Sequence, residues 1–221
     1  MPINLDFVGL NTLVREEIDT TTNTIGEVKT RAISLPDQST GNSGVKGESF
    51  SSYPTTGALS ICFWFKFDAA GTTHRTFFQG LDEDNFNSSL NIYFLNGKIE
   101  MQVFNGSVTK EYQWTIDPEN FLNWTNIVIT WDGEFTGSTA LLYLNGLEIV
   151  TDYIDSNPNT GNVREAIGLF RIGTAWNGNT ELQGSIAHFA FINKQLSINE
   201  VDQIYSNGFV NDLRNTTFSS D

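Results

Sequence analysis

The chain of 221 residues has little cysteine, few basic side chains and no long apolar run, and each shortage excludes a class of protein. The single cysteine, Cys62, cannot form an intrachain disulfide, and its apolar neighbours indicate a buried small side chain rather than a reactive thiol. No segment approaches the roughly 20 consecutive apolar residues that a membrane-spanning helix needs. Residues 1–20 also lack the basic start and apolar stretch of a secretion signal. We therefore predict no membrane insertion and no signal peptide.

Basic side chains are scarce, since 12 Lys and Arg stand against 26 Asp and Glu, a net charge of 12 − 26 = −14. Affinity for nucleic acids comes mainly from Lys and Arg that contact phosphates, and anionic membranes repel an acidic protein. We therefore predict that nucleic acid is not a partner. The excess of carboxylates leaves oxygen ligands available for cations.

What is abundant is the alternation of apolar and polar residues, which is typical of strands with one face in a core. Every second residue from Leu59 to Phe67 is apolar, which predicts a core strand. Similar runs predict strands at residues 89–95, 98–104, 124–131, 139–145 and 184–193, with weaker runs at 3–8, 28–35, 75–79, 109–114 and 166–173. Because no strands alternate with long helices, we predict an all-β fold built as an antiparallel sandwich.

Asn-Gly and Asp-Gly pairs separate several of these runs. Asn96-Gly97 and Asn145-Gly146 each lie between two alternating runs, which is the strongest short-range signal for a β-hairpin. Asn105-Gly106 and Asp132-Gly133 extend the pattern. These pairs are predicted to turn the chain rather than to form a binding motif.

One short helix is predicted near the C-terminal end, within residues 196–208. Ser197 suits the N-cap position, and Glu200, three residues later, completes a capping box. Leu196 and Val201 can form a hydrophobic staple across the helix start. A stripe of apolar residues at helical spacing is predicted to face the sheets, and it consists of Ile198, Val201, Ile204 and Tyr205.

Five segments taken in order resemble one family: ALSICFWFKFDAAG, FLNGKIEMQVFNG, NWTNIVITWDGEFTGSTALLYLNGLEIV, GSIAHFAFINKQLS and INEVDQIYSNG. Their order and spacing are similar to those of the concanavalin A-like lectin/glucanase superfamily, in its laminin-G-like and pentraxin-like branch. The resemblance implies a jelly-roll β-sandwich with one short C-terminal helix. It divides the chain into an N-terminal extension or edge strand at residues 1–30, the concanavalin A-like sandwich at 31–208 and a C-terminal tail at 209–221.

Catalytic patterns are missing from the sequence. The resemblance implies that a member that cleaves β-glucans would carry two Glu and one Asp alternating on one strand. The acidic pair at Glu17 lacks the second Glu, and the pair at Glu200 lies in the predicted helix. Neither His74 nor His188 has a matched nucleophile nearby, and His188 is predicted to be a half-buried strand residue. We therefore predict that the protein is not an enzyme.

Calcium is the one cofactor that the resemblance leaves open, since several relatives bind it at the rim of the sandwich. The loop at residues 80–87 brings together Asp82, Asp84 and Asn85, whose oxygens are predicted as the ligands. The other interpretation is a solvated acidic turn, because serines stand where laminin-G-like relatives keep an Asp.

A sugar site needs an aromatic ring for stacking and amide or carboxylate groups that bind hydroxyls. The loop at residues 173–184 offers Trp176 beside Asn177 and Asn179, which are predicted as ligand-binding residues. The other interpretation is that Trp176 covers one end of the sandwich. The remaining tryptophans are predicted in the core or on a sheet surface, and they are Trp64, Trp114, Trp124 and Trp131.

These features support two functions. The first is a non-catalytic structural or recognition protein with a lectin-like fold, located in a phage virion as a capsid decoration or fibre-associated component. Its partners would be other structural subunits, in a homo-oligomer or on a capsid, and release by lysis would need no signal peptide. The second is a carbohydrate-binding lectin domain with glycans as partners, with or without calcium.

Overall fold

The computed structural model describes residues 32–35, 45–48, 57–81, 88–104, 109–134, 140–154, 169–175, 180–192 and 194–207. These residues form two antiparallel β-sheets around a shared hydrophobic core, so the predicted all-β sandwich is confirmed. The strands are β1 (Ala32–Leu35), β2 (Val45–Glu48), β3 (Leu59–Phe67), β4 (Arg75–Leu81), β5 (Ser88–Leu95), β6 (Lys98–Phe104), β7 (Thr109–Thr115), β8 (Thr125–Trp131), β9 (Ala140–Leu144), β10 (Leu147–Ile149), β11 (Tyr153–Ile154), β12 (Leu169–Ile172) and β13 (Gly184–Ile192). A 3₁₀ helix spans Pro118–Phe121, and the α-helix α1 spans Ile198–Asn207.

The strand order combines local hairpins with pairs between distant segments. One sheet has six strands in the order β1-β13-β3-β8-β9-β10, and the other has seven in the order β11-β7-β6-β5-β4-β12-β2. Strands β5 to β7 and β8 to β10 pair in chain order, whereas β13 pairs with both β1 and β3. The first two strands each complete a sheet beside a strand from the C-terminal half. This arrangement is the predicted jelly roll.

Phenylalanine rings fill the space between the sheets. On β3 the predicted core residues from Leu59 to Phe67 are all buried, with at most 2% of their surface exposed. The ring of Phe63 lies 5.4 Å, centroid to centroid, from Phe189 in the same sheet and 5.3 Å from Phe77 in the opposite sheet. The alternation on β3 therefore predicted the core face correctly.

Register shifts in two strand pairs adjust which side chains reach the core. The register between β4 and β5 shifts after Thr76, and both Phe77 and Phe78 are fully buried in the core cluster. The register between β13 and β3 shifts around His188, which has a φ of 53° and is half-buried, as predicted. An extra residue at a bulge changes the face to which the following side chains point.

Asn-Gly turns close the hairpins as predicted. In both Asn96-Gly97 and Asn145-Gly146 the two residues have positive φ, with values of 52° and 78° in the first pair and 50° and 78° in the second. Gly133 also has a positive φ, and a Cβ there would lie 2.4 Å from the amide nitrogen of Ala58, so only glycine fits. Asn105-Gly106 lies outside the described residues.

The helix α1 packs on the outer face of the six-stranded sheet. Val201 and Ile204 belong to a second apolar cluster together with Leu196, and this cluster also contains Cys62 and Val128 from the sheet. Cys62 is therefore a buried core thiol, and burial raises its pKa to about 12. Packing of this apolar face, rather than intrinsic helix propensity, holds so short a helix in place.

The start of α1 departs from the predicted stripe in one respect. The N–H of Ser197 donates to Oε2 of Glu200 at 2.9 Å, which is one half of the predicted capping box, and Nζ of Lys194 donates to Oε1 at 2.8 Å. These bonds hold Glu200 at 3% exposure against the sheet side. Ile198 is consequently turned outward with 47% of its surface exposed, so its predicted burial is wrong.

The ends of the chain lie outside the described residues. This applies to residues 1–30 and 209–221, so the predicted division around a domain at 31–208 stays a prediction. In the part of the chain that the structure describes, no helix has the length and apolarity needed to cross a bilayer.

Candidate functional site

The outer face of the seven-stranded sheet carries polar side chains on three neighbouring strands, and we call it the polar face. On β5, β6 and β7 these side chains alternate with buried residues that point into the core. The polar face consists of Asn91, Tyr93, Lys98, Glu100, Gln102, Glu111 and Gln113.

Strand register arranges six of these seven side chains in two rows. Asn91 lies opposite Gln102, which in turn lies opposite Glu111. The adjacent row contains Tyr93, Glu100 and Gln113 in the same strand order. Because neighbouring strands are about 4.8 Å apart, each row sets hydrogen-bonding groups at regular intervals across the sheet.

A chain of hydrogen bonds fixes one half of the polar face. Nζ of Lys98 donates to Oε1 of Gln113 at 2.6 Å, and Nε2 of Gln113 donates to Oε1 of Glu111. The other oxygen of Glu111 accepts from Nε2 of Gln102 at 2.9 Å. Each amide in this chain has its orientation set by a partner, so the face is organised before any ligand arrives.

Tyr93 and Glu100 form the second half. The Tyr93 hydroxyl donates to Oε2 of Glu100 at 2.7 Å, and the His74 ring lies 4.7 Å, centroid to centroid, from the Tyr93 ring. Burial, together with the charge of Glu111, raises the pKa of Glu100 despite the bond from Tyr93. Burial and the bond to Glu100 raise the pKa of Tyr93, so its hydroxyl stays protonated and donates at neutral pH.

The row that contains Asn91 continues onto two further strands. Gln79 on β4 lies opposite Asn91, and Arg171 on β12 lies opposite Gln79. Nη1 of Arg171 donates to the carbonyl oxygen of Ala175 at 3.2 Å. The row therefore carries a cation at one end and the carboxylate of Glu111 at the other.

Two polar atoms of β5 are buried without a hydrogen-bond partner. They are Oδ1 of Asn91 and Oγ of Ser89, which is fully buried. A buried polar atom that forms no bond costs free energy, and in native structures such atoms are commonly satisfied by a bound water or a ligand. Asn91 lies on the polar face opposite Gln102, so its unbonded Oδ1 adds an acceptor next to the ordered amides, whereas the fully buried Ser89 is closed to a ligand.

The loops that the sequence singled out are not described. The predicted sugar-binding residues Trp176, Asn177 and Asn179 and the predicted calcium ligands Asp82, Asp84 and Asn85 lie outside the described residues. Within the described ranges, no three His, Cys, Asp or Glu side chains are placed to hold a metal ion.

The other tryptophans occupy the two predicted kinds of position. Trp114 and Trp131 are fully buried in the core, where Nε1 of Trp131 donates to the Tyr112 hydroxyl at 3.2 Å. Trp64 and Trp124 are half-buried on the outside of the six-stranded sheet.

The polar face went unnoticed in the sequence, although part of its signal was there. The runs at residues 98–104 and 109–114 alternate, so their polar positions share one face of each strand. The site is recognised only when the polar side chains of three strands are seen to lie side by side, and strand register decides which of them do.

Comparison with known proteins gives one family. A model of the laminin G type, described as the concanavalin A-like lectin/glucanases superfamily, matches residues 39–202. No curated protein matches the chain in sequence.

Solved structures with a similar fold include binding domains of botulinum neurotoxins. The serotype D ligand binding domain, in complex with N-acetylneuraminic acid, has a TM-score of 0.62 and 18% identity over 87% of this chain and 46% of that chain. The receptor binding domain of mosaic serotype C/D has a TM-score of 0.59 and 20% identity over 87% and 45%. The serotype G binding domain has a TM-score of 0.59 and 15% identity over 80% and 42%. The chain spans less than half the length of each, and such identities establish a shared fold alone.

Proposed function

The chain belongs to the concanavalin A-like lectin/glucanases superfamily, and on that premise we propose that it is a non-catalytic domain that binds carbohydrate on the polar face. The observation that carries the proposal is the hydrogen-bonded chain that fixes Gln102, Glu111 and Gln113 in one orientation. Because these side chains are already ordered, a ligand that binds them loses little free energy to ordering.

The chemistry of the face suits a sugar. Each hydroxyl of a sugar both donates and accepts, and the polar face offers donors from amides and Lys98 beside acceptors from Glu100 and Glu111. Tyr93 and His74 add aromatic surface at one end, against which the apolar face of a pyranose can stack. The similar fold of a toxin domain in complex with N-acetylneuraminic acid also supports a sugar ligand.

The state of the two carboxylates favours binding over catalysis. Glu100 accepts a hydrogen bond from Tyr93, and both oxygens of Glu111 accept from glutamine side chains. Hydrolysis by a carboxylate pair needs one group to protonate the leaving oxygen and the other to attack or to activate water. Carboxylates that are held by neighbouring donors serve instead to position sugar hydroxyls.

A glycan array with the full chain tests this proposal. Glu111→Gln keeps the shape of the side chain and removes its charge, so we expect the array signal of the parent protein to be lost. Glu148→Gln is the matched control, because Glu148 is exposed on β10 of the other sheet. A flat array for the parent protein, or equal signals for the two variants, would reject the polar face as the sugar site.

The loop residues predicted from the sequence form a separate proposal. Trp176, Asn177 and Asn179 would add a stacking ring and amides, and Asp82, Asp84 and Asn85 would hold calcium. We expect Trp176→Ala to weaken glycan binding if this loop takes part. A chelator would weaken glycan binding only if calcium is needed. Equal binding with and without the chelator would reject the calcium site.

A more specific proposal is that the domain is a structural or recognition subunit of a virion. It would be a capsid decoration or fibre-associated protein that contacts other subunits or copies of itself. The hydrogen-bonding groups of the polar face suit the polar rim of a contact between subunits as well as a sugar. Mass spectrometry of purified particles would find the protein in many copies per particle. Its absence from particles would reject this role and leave carbohydrate binding untouched.

A further inference from the structure

A second surface lies on the outer face of the six-stranded sheet, beside the last turn of α1. We call it the aromatic corner and define it by Trp64, Lys66, Trp124 and Tyr205. The rings of Trp64 and Tyr205 are stacked with centroids 6.0 Å apart and planes inclined by 23°. Nζ of Lys66 lies 5.6 Å from the centroid of the Trp124 ring. Tyr205 is 39% exposed and the other three are half-buried, so all four are open to solvent.

Strand pairing builds this corner from distant parts of the chain. Phe65 on β3 lies opposite Thr125, the first residue of β8, so Trp124 stands next to Lys66 on the outer face. Trp64 lies opposite Asn126 in the same ladder. Trp64 therefore stands on β3, and Trp124 directly precedes the adjacent strand β8.

Asn126 provides a buried acceptor between the strands. The side chain is 1% exposed and its Nδ2 donates to the carbonyl oxygen of Phe63 at 3.4 Å, but its Oδ1 is buried without a partner. Its backbone N–H donates to Oδ1 of Asn145 in the neighbouring turn at 2.9 Å. An amide oxygen that is held in place and lacks a donor is suited to accept a hydrogen bond from a ligand.

A glycine leaves room for the exposed ring. A Cβ on Gly146 would lie 3.0 Å from Cδ1 of Tyr205, so the ring occupies space that a side chain at position 146 would fill. Tyr205 lies in the last turn of α1, which ends at Asn207. Helix ends fray more readily than helix centres, so this ring can turn aside from Trp64, which lies opposite Asn126 on the neighbouring strand.

We propose that the aromatic corner is a second carbohydrate site that takes a single neutral pyranose. The apolar face of the sugar stacks on the Trp64 and Trp124 side of the corner, and Nζ of Lys66 donates to a ring hydroxyl. Another hydroxyl donates to Oδ1 of Asn126 after Tyr205 turns aside. The sugar is neutral because the net charge of −14 repels anionic sugars and the Asp202 carboxylate lies close to the corner, near Gly146.

The inference extends the proposed function, since it rests on carbohydrate binding by this domain. The polar face and the aromatic corner lie on the outer faces of different sheets, which pack about 10 Å apart. A domain with sites on both faces can bind two glycans at once.

The test is binding of methyl pyranosides of glucose, galactose and mannose to the full chain, by saturation-transfer NMR and by tryptophan fluorescence. We expect Trp124→Leu and Lys66→Ala each to weaken binding about tenfold, the effect of losing one good contact. Far-UV circular dichroism and the thermal midpoint check that each variant is folded, and Lys66→Ala carries the test if Trp124→Leu does not fold. All of these proteins also carry Glu111→Gln, so that sugar bound on the polar face does not contribute to the signal.

The outcomes separate the two sites. Pyranoside binding that persists in both corner variants, or no binding at millimolar sugar, would overturn the aromatic corner. If the glycan-array signal is still lost in Glu111→Gln, the proposed function of the polar face stands without the aromatic corner. If pyranosides bind at the corner and the array signal of Glu111→Gln equals that of the parent protein, only the polar face is rejected.

Discussion

At the residue scale, Phe63 shows how a single ring stabilises the sandwich. Its side chain is fully buried and contacts rings from both sheets. We expect Phe63→Ala to lower the free energy of unfolding by about 3 to 5 kcal/mol, because the surrounding rings cannot close the cavity. Urea denaturation followed by circular dichroism measures the loss. Val150→Ala, at a position 79% exposed, is the control, and a midpoint for Phe63→Ala equal to that of the parent would contradict the placement of Phe63 in the core.

Two glycines with positive φ allow the stability cost of backbone strain to be measured apart from the cost of a steric clash. Gly146 has a φ of 78° and faces Tyr205, whereas Gly57 has a φ of 95° and nothing within 4 Å of its Cβ position. Each change to Ala should cost about 1 kcal/mol or more in strain, and Gly146→Ala should cost more because it displaces the ring. In a double-mutant cycle, Tyr205→Ala should recover the difference between the two glycine variants. Equal losses that are unaffected by Tyr205→Ala would show that the turn does not touch the ring.

At the element scale, sequence patterns predicted most of the strands and the helix but missed the short strands β2 and β11. The alternation in β3 and the capping residues of α1 act within a few positions of the chain, so they can be read directly. Strands β2 and β11, of four and two residues, are too short to show a period and form because a neighbouring strand offers them an open edge. The outward position of Ile198 was missed because the side chain of Glu200 is held inward by Lys194 and Ser197.

The start of α1 gives the fold a dependence on pH. Burial alone would raise the pKa of Glu200, but hydrogen bonds from Lys194 and from the N–H and hydroxyl of Ser197 outweigh it and hold the pKa below the ordinary 4.5. The folded state therefore binds the proton less tightly than the unfolded chain. Glu200 stabilises the fold above pH 4.5, and this stabilisation is lost as the pH falls through the lowered pKa.

Glu200→Gln tests that dependence. We expect the difference in unfolding free energy between the parent and this variant to be largest near neutral pH and to shrink at pH values below 4.5. Urea denaturation at several pH values measures the difference. Glu119→Gln controls for the loss of one acidic charge at an exposed position. A difference that stays constant down to acid pH would mean that the carboxylate is not held by these donors.

At the scale of the whole molecule, register decides how far a site can be predicted. The turn at Asn96-Gly97 fixes the pairing of β5 with β6, so the meeting of Tyr93 and Glu100 could have been deduced from the sequence. The register shifts between β4 and β5, in contrast, follow from no local pattern in the sequence. The aromatic corner depends on β3 pairing with β8 across about 60 residues, which only tertiary packing determines.

The chain closes each sheet with a strand from its N-terminal part, and this predicts a graded response to truncation. Strand β1 pairs with β13 through four residues, and β2 pairs with β12 through four. Residues 31–208 should unfold in one cooperative transition close to that of the full chain. A fragment 39–208 loses β1 and should be less stable, and a fragment 57–208 loses both strands and should be the least stable, because the backbone groups of β12 and β13 lose their partners. Thermal unfolding by circular dichroism ranks the three. If 57–208 matched 31–208, the two edge strands would contribute nothing to the sandwich, and its independent unit would begin at β3.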